Sequence, residues 1–258
     1  MIPILARGGY AARGIVFLIV GWFAIMAAIG AAHPKSSQDA LTELMSQPLG
    51  GVLVAVMVFG LACFALWRLA QALLDTDNHG RSTRGLLIRG GLLGSAAAHA
   101  LLAAFALGLL LDLGGSGDDA RRELFGIVAG SPLLLCIVAA IVAGAGIAHF
   151  IEGWRLTFER HLPDRPRVRA VVRFIGHYGL MARGLVFVLI AGILVLGALR
   201  VRNASDPPTM QDALEFVSAL PAGPLWLAAI GGGLLAFALY CGAEAAFRRI
   251  DLRLDDLT

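Results

Sequence analysis

Apolar residues run almost unbroken through six stretches of this chain, residues 11–32, 50–74, 87–111, 131–151, 179–199 and 224–247. Each supplies the roughly 20 residues with which a helix crosses hydrocarbon. Lipid offers backbone N–H and C=O groups no partner, so such runs are expected as helices rather than open strands. The ten prolines fall at or outside these limits, so no span needs a proline kink. Between paired spans the pattern shortens and becomes amphipathic. Leu41, Leu44 and Met45, then Leu124 and Val128, then Leu214, Val217 and Leu220 recur at helical spacing. Short helices are expected over about residues 37–46, 118–128 and 210–219, lying apolar side down on the outer surface as packed connectors. Lids over a pore are the alternative.

The pattern repeats in its letters as well as in its hydropathy. ARGIVFLIVG at residues 12–21 returns as ARGLVFVLIAG at residues 182–192, with LIRGGLLGSAAAH at residues 87–99 as a weaker middle copy. The connectors share a start signal. Ser36 with Asp39, Ser116 with Asp119 and Thr209 with Asp212 all fit a hydroxyl N-cap followed three residues later by a carboxylate. The hydroxyl satisfies a free backbone N–H, and the carboxylate suits the positive end of the helix dipole. Each connector then stops at Pro and Gly, as at Pro48 and Gly50 or Pro221 and Gly223. Self-similarity in this fixed order predicts an all-α polytopic membrane protein. Its six transmembrane helices form three repeated hairpins in a pseudo-threefold arrangement, over residues 1–80, 81–160 (divergent) and 161–258.

With the doubled ARG motif, LWRLAQALLD at residues 66–75 and YCGAEAAFRRI at residues 240–250, nearly the whole chain resembles the bacterial membrane family called domain of unknown function 1206. The resemblance implies six spans in three parallel repeats. It brings no activity, substrate or cofactor. The middle copy departs from the pattern, with Ser95-Ala96 where the others have Arg13-Gly14 and Arg183-Gly184.

Composition agrees with the membrane reading: 58% of residues are hydrophobic and 15% charged, with a mean hydropathy of +0.79. Charge adds an orientation. Of 21 Lys and Arg, only Lys35, Arg121, Arg122, Arg200 and Arg202 fall on the side of the connectors. Positive charge resists export, so the other side is expected to be cytoplasmic, with both termini there, in a bacterial inner membrane. The first apolar run is expected to be a retained helix rather than a removed signal peptide. The sequence pI of about 9.1 then describes one basic face and not a nucleic-acid groove. RPRVRAVVR at residues 165–173 is expected as a solvated loop that fixes topology, with binding of anionic lipid head groups or RNA as the functional alternative.

Candidate chemistry is sparse. Aligning the second helices on their cytosolic ends places Phe64, Ala148 and Tyr240 in one column and Arg68, Glu152 and Glu244 in another. These charges, with Arg13 and Arg183, form a candidate intramembrane polar cluster, because ionisable groups in spans face the bundle or a wet cavity. Snorkelling to the interface is the competing account. His99 and His149 are embedded too and could ligate haem or relay protons. His99 occupies the column of Phe17 and Phe187, so an imidazole bonded inside the bundle is the simpler reading. Cys63, Cys136 and Cys241 sit singly in three spans with no metal-ligand spacing, and no metal or cofactor is expected. No P-loop, nucleophile elbow or dinucleotide fingerprint occurs, which weakens an enzyme reading. The pattern favours a structural or interaction bundle with an unidentified protein partner. A small ion or solute permease with a polar central site is the alternative, and a membrane-embedded redox protein is a third.

Overall fold

The computed structural model describes residues 2–76, 79–112, 123, 126–128, 130–156, 166–200 and 209–247. All regular structure among them is helical. Six long helices, α1 (Ile2–Ala28), α3 (Gly50–Leu74), α4 (Thr83–Leu110), α5 (Pro132–Arg155), α6 (Pro166–Arg200) and α8 (Gly223–Phe247), are each long and apolar enough to cross a membrane. Two short ones, α2 (Ser37–Met45) and α7 (Met210–Ser218), join α1 to α3 and α6 to α8. The faces turned away from the bundle carry Val52, Val56, Phe59, Leu66 and Leu73 on α3. Large exposed side chains of that kind belong against lipid. Trp22 and Trp226 are exposed near one end of the spans and Trp154 near the other, as interfacial belts require.

Expected boundaries hold within a few residues except at the starts of α1, which begins nine residues earlier than the apolar run, and of α6. The segment read as a solvated loop is helical from Pro166 onward. Proline at the first helical position lacks only an N–H that would be unbonded there anyway. Val168, Val172 and Ile175 then share one face and pack into the core, with Val172 only 3% exposed. The arginines between them mask that stripe.

Both described connectors are capped as their sequences predict. Ser36 Oγ accepts from Asp39 N at 3.2 Å, and the Asp39 carboxylate accepts from Ser36 N at 2.8 Å. Thr209 and Asp212 make the same reciprocal pair, at 3.4 and 2.5 Å. Ala40 and Leu41 of α2 are buried, as are Met210, Ala213, Leu214 and Val217 of α7, so both pack into the bundle. Leu220, expected on that stripe, lies beyond the end of α7 and is exposed. Each connector ends in a matching tight turn. Leu49 (φ 63°) precedes Gly50, and Ala222 (φ 58°) precedes Gly223. A Cβ at either glycine would strike the carbonyl oxygen of Met45 or of Ser218. The middle connector lies largely outside the described residues, although Glu123 and residues 126–128 are helical.

Helix packing follows a ring with one break. α1 packs extensively on α8, α3 on α4, and α5 on α6, while α1 with α3 and α6 with α8 also pack within their hairpins. The two helices of the middle hairpin, α4 and α5, make no more than marginal contact among the described residues.

Candidate functional site

The first and third hairpins are closed by glycine. A Cβ on Gly9 would sit 2.7 Å from Phe64 Cα, and one on Gly179 would sit 2.6 Å from Phe237 Cα. Gly60 presses on Ala12 as Gly233 presses on Ala182. Small residues let helix backbones meet closely in lipid, where van der Waals packing drives association. These contacts make Phe64 the counterpart of Phe237, and therefore Arg68 that of Cys241 and Gln71 that of Glu244. The second helix of the middle hairpin can be placed by the same means. Gly14 meets the carbonyl of Ala238 as Gly184 meets that of Gly146, so Glu152 answers Glu244 and Ala145 answers Phe237. The expected column of Arg68, Glu152 and Glu244 is thus one turn out of register in its first member. Gln71 belongs there, and Phe64 answers Phe237 rather than Tyr240.

Around these contacts the arginines and phenylalanines interleave. The Arg13 guanidinium lies 5.2 Å from the Phe64 ring centroid and 4.6 Å from that of Phe237. The Arg183 guanidinium lies 4.9, 4.8 and 4.8 Å from the rings of Phe17, Phe187 and Phe237. Arg68 stacks on Phe64 at 4.9 Å and donates to Gln71 Oε1 at 3.1 Å. Phe17 meets Phe237 edge-on at 4.9 Å. His99 takes the equivalent place on α4, 4.5 Å from the Phe64 ring, with its Nδ1 2.8 Å from the carbonyl oxygen of Ser95. Arg13, Arg183, His99, Gln71 and Glu244 are all buried. A positive charge over an aromatic face gains from the ring quadrupole, and the gain grows as water is removed.

The sequence-predicted residues fall into two groups. Arg13 lies within electrostatic reach of Arg68, Glu244, Cys241 and His99, and Gln71 joins through its hydrogen bond to Arg68. Arg183 joins that group through the shared Phe237 ring. Glu152 and His149 form a second group on α5, with His149 Nδ1 3.7 Å from Glu152 Oε2 and the imidazole 5.9 Å from Phe187. Sequence reasoning misses Phe237, although it touches both buried arginines. Among the described residues no three His, Cys, Asp or Glu side chains gather as metal ligands.

The middle hairpin lacks the Arg–Phe contact at both ends, having Ser95 for the arginine and Ala145 for the phenylalanine. It is also the hairpin whose helices stand apart. The same division appears in the comparison with known proteins: residues 8–75 and 178–248, just over half of the chain, match the family described as Domain of Unknown Function (DUF1206). One relative, the uncharacterized protein YxxB of Bacillus subtilis (strain 168), is 29% identical over 250 residues, which covers 95% of this chain and 90% of the relative. No solved structure matches. The matched regions hold the paired ARG motifs, their glycine contacts and the phenylalanines opposite, and on that match the chain belongs to the family of domain of unknown function 1206.

Proposed function

We propose that the chain acts as a packed interaction bundle in the bacterial inner membrane, with three hairpins about an approximate threefold axis and both termini cytoplasmic. One observation carries the reading: Phe17, Phe64 and Phe237, at most 5% exposed, fill the space beside Arg13 and Arg183 where a polar path would have to run. Arg13 and Arg183 are held against rings, an arrangement that suits a clasp between helices better than a hydrated conduit. A Cβ on Gly90 or Gly94, one turn apart on α4, would meet nothing within 4 Å among the described residues, so this face offers a partner helix a close approach. The basic face supports the orientation and suits contact with anionic lipid.

The test is flux. Proteoliposomes loaded with a proton-sensitive dye should hold a pH gradient as protein-free vesicles do, and rapid dissipation would move the reading to a permease. That second reading is favoured by the gap between α4 and α5. In a cysteine-free background, cysteines introduced at Ser82 should be shielded from an impermeant thiol reagent in intact cells, and ones at Ser37 should react. The reverse pattern would invert the proposed orientation.

A further inference from the structure

Arg183 is a buried cation whose N–H donors its surroundings do not satisfy. Its side chain is 5% exposed, and its Nε and Nη1 have no hydrogen-bond partner among the described residues. Arg13 is 4% exposed, and its Nε also has none. Both guanidiniums lie over one ring, that of Phe237. Three rings meet the Arg183 guanidinium and two meet that of Arg13, yet a cation–π contact leaves N–H donors unbonded, and a buried donor without an acceptor is costly. The nearby charges do not change the sign, because Arg13 has Glu244 within reach but Arg68 as well. His99 faces the pair from α4, and Glu152 lies with His149 on α5. Two arginines buried together, with N–H donors left unbonded, call for an anion that accepts from them.

Access is suggested by the one break in the ring. α4 and α5 do not close on each other, and their inner positions carry His99 and His149, which contact Phe64 and Phe187, the same rings that touch Arg13 and Arg183. We propose that Arg13 and Arg183 form an intramembrane site for a phosphate-type oxyanion, reached between α4 and α5. A planar guanidinium matches such an oxyanion with two parallel hydrogen bonds, which a lysine cannot do. The oxyanion can come from an anionic lipid head group or from free phosphate, and the lateral position of the gap favours the lipid. The site goes beyond the packed-bundle reading, since it needs a ligand and no flux.

The purified full chain is followed by thermal unfolding in detergent with added inorganic phosphate, and in nanodiscs of phosphatidylcholine with or without phosphatidylglycerol. Stabilisation by phosphate in detergent assigns the free anion, and stabilisation by phosphatidylglycerol alone assigns the lipid head group. Either response should weaken about tenfold or more in apparent affinity in Arg183→Gln, the loss of roughly one charge-assisted pair. It should survive in Arg155→Gln, which removes an exposed arginine from the last turn of α5. Arg183→Lys keeps the charge if the glutamine variant does not fold, and should bind more weakly than wild type for want of the fork. Native mass spectrometry of the wild-type protein should show a retained phosphate-bearing adduct. No response to either probe, or an equal response in wild type and Arg183→Gln or Arg183→Lys, overturns the site.

Discussion

Replacing Phe237 by Leu separates the worth of its ring from the worth of its bulk. The side chain is fully buried, and Leu retains most of its apolar contacts. Between helices in lipid, apolar transfer is a weak term, because an unpacked helix leaves the residue in hydrocarbon anyway. What the substitution removes is electrostatic: the contacts of Arg13 at 4.6 Å and Arg183 at 4.8 Å, and the edge-on pair with Phe17 at 4.9 Å. Desolvated cation–π contacts contribute up to about 2 kcal/mol each and an aromatic pair about 1 kcal/mol, so Phe237→Leu should cost about 2–5 kcal/mol.

Reversible denaturation in bicelles measures that loss, and a double-mutant cycle with Arg183→Met apportions it. The cycle should show a coupling of about 1–2 kcal/mol, because removing the cation first leaves the ring less to lose. A cost of less than about 1 kcal/mol with no coupling would refute the clasp. In that case the rings would fill space and the arginines would be held by something else.

Four further substitutions probe the connectors and turns around the clasp. Gly50→Ala, and separately Gly223→Ala, should destabilise by about 1–3 kcal/mol in the same assay, since a Cβ there meets the carbonyl of Met45 or Ser218 beside a residue already at positive φ. Thr209→Ala should cost about 1 kcal/mol and fray α7, read as faster amide exchange confined to residues 210–213, because the capping pair with Asp212 is lost. Asp75 tests pH. Desolvation pushes its carboxyl up, but the backbone N–H groups of His79 and Gly80 and the Arg89 guanidinium outweigh this and hold it below the ordinary carboxylate value. A lowered folded value adds stability that is present above the unfolded value of about 3.9 and disappears as pH falls through the folded one. Asp75→Asn should therefore flatten the acid limb of a stability–pH curve, and an unchanged limb would show that this turn opens before the bundle does.

The spans are legible because a membrane-crossing helix needs only length and apolarity, which hydropathy reports directly. The connector caps are legible because a hydroxyl and a carboxylate three residues apart act locally, within one turn. The start of α6 is hidden because Arg169 and Arg173 interrupt an apolar stripe that only the packed core gives meaning to. Arg13 and Arg183 stand out in the sequence as repeated charges in apolar surroundings, but the rings that hold them do not. Phe is common in membrane helices and carries no local mark of what it faces.

The slip of one turn in the second helices has a more instructive cause. Charge alone matches Arg68 with Glu244, since both lie near a cytosolic helix end, yet a charged side chain near an interface is free to snorkel and so constrains register weakly. Packing constrains it strongly, since a glycine that admits another backbone cannot move by a turn without opening a void or a clash. The signal is present in letters that look unremarkable. FALWR at residues 64–68 and FALYC at residues 237–241 each begin four residues after a glycine, Gly60 or Gly233, that abuts Ala12 or Ala182. Aligned on that glycine, Phe64 meets Phe237 and Gln71 meets Glu244, and the two arginines acquire their rings. The middle hairpin has Ile141 where the others have Gly60 and Gly233, and Ala145 where they have Phe64 and Phe237, so it lacks the close approach and the ring together. The separation of α4 from α5 follows from that double loss, and restoring both residues, Ile141→Gly with Ala145→Phe, is the change that should draw the two helices together.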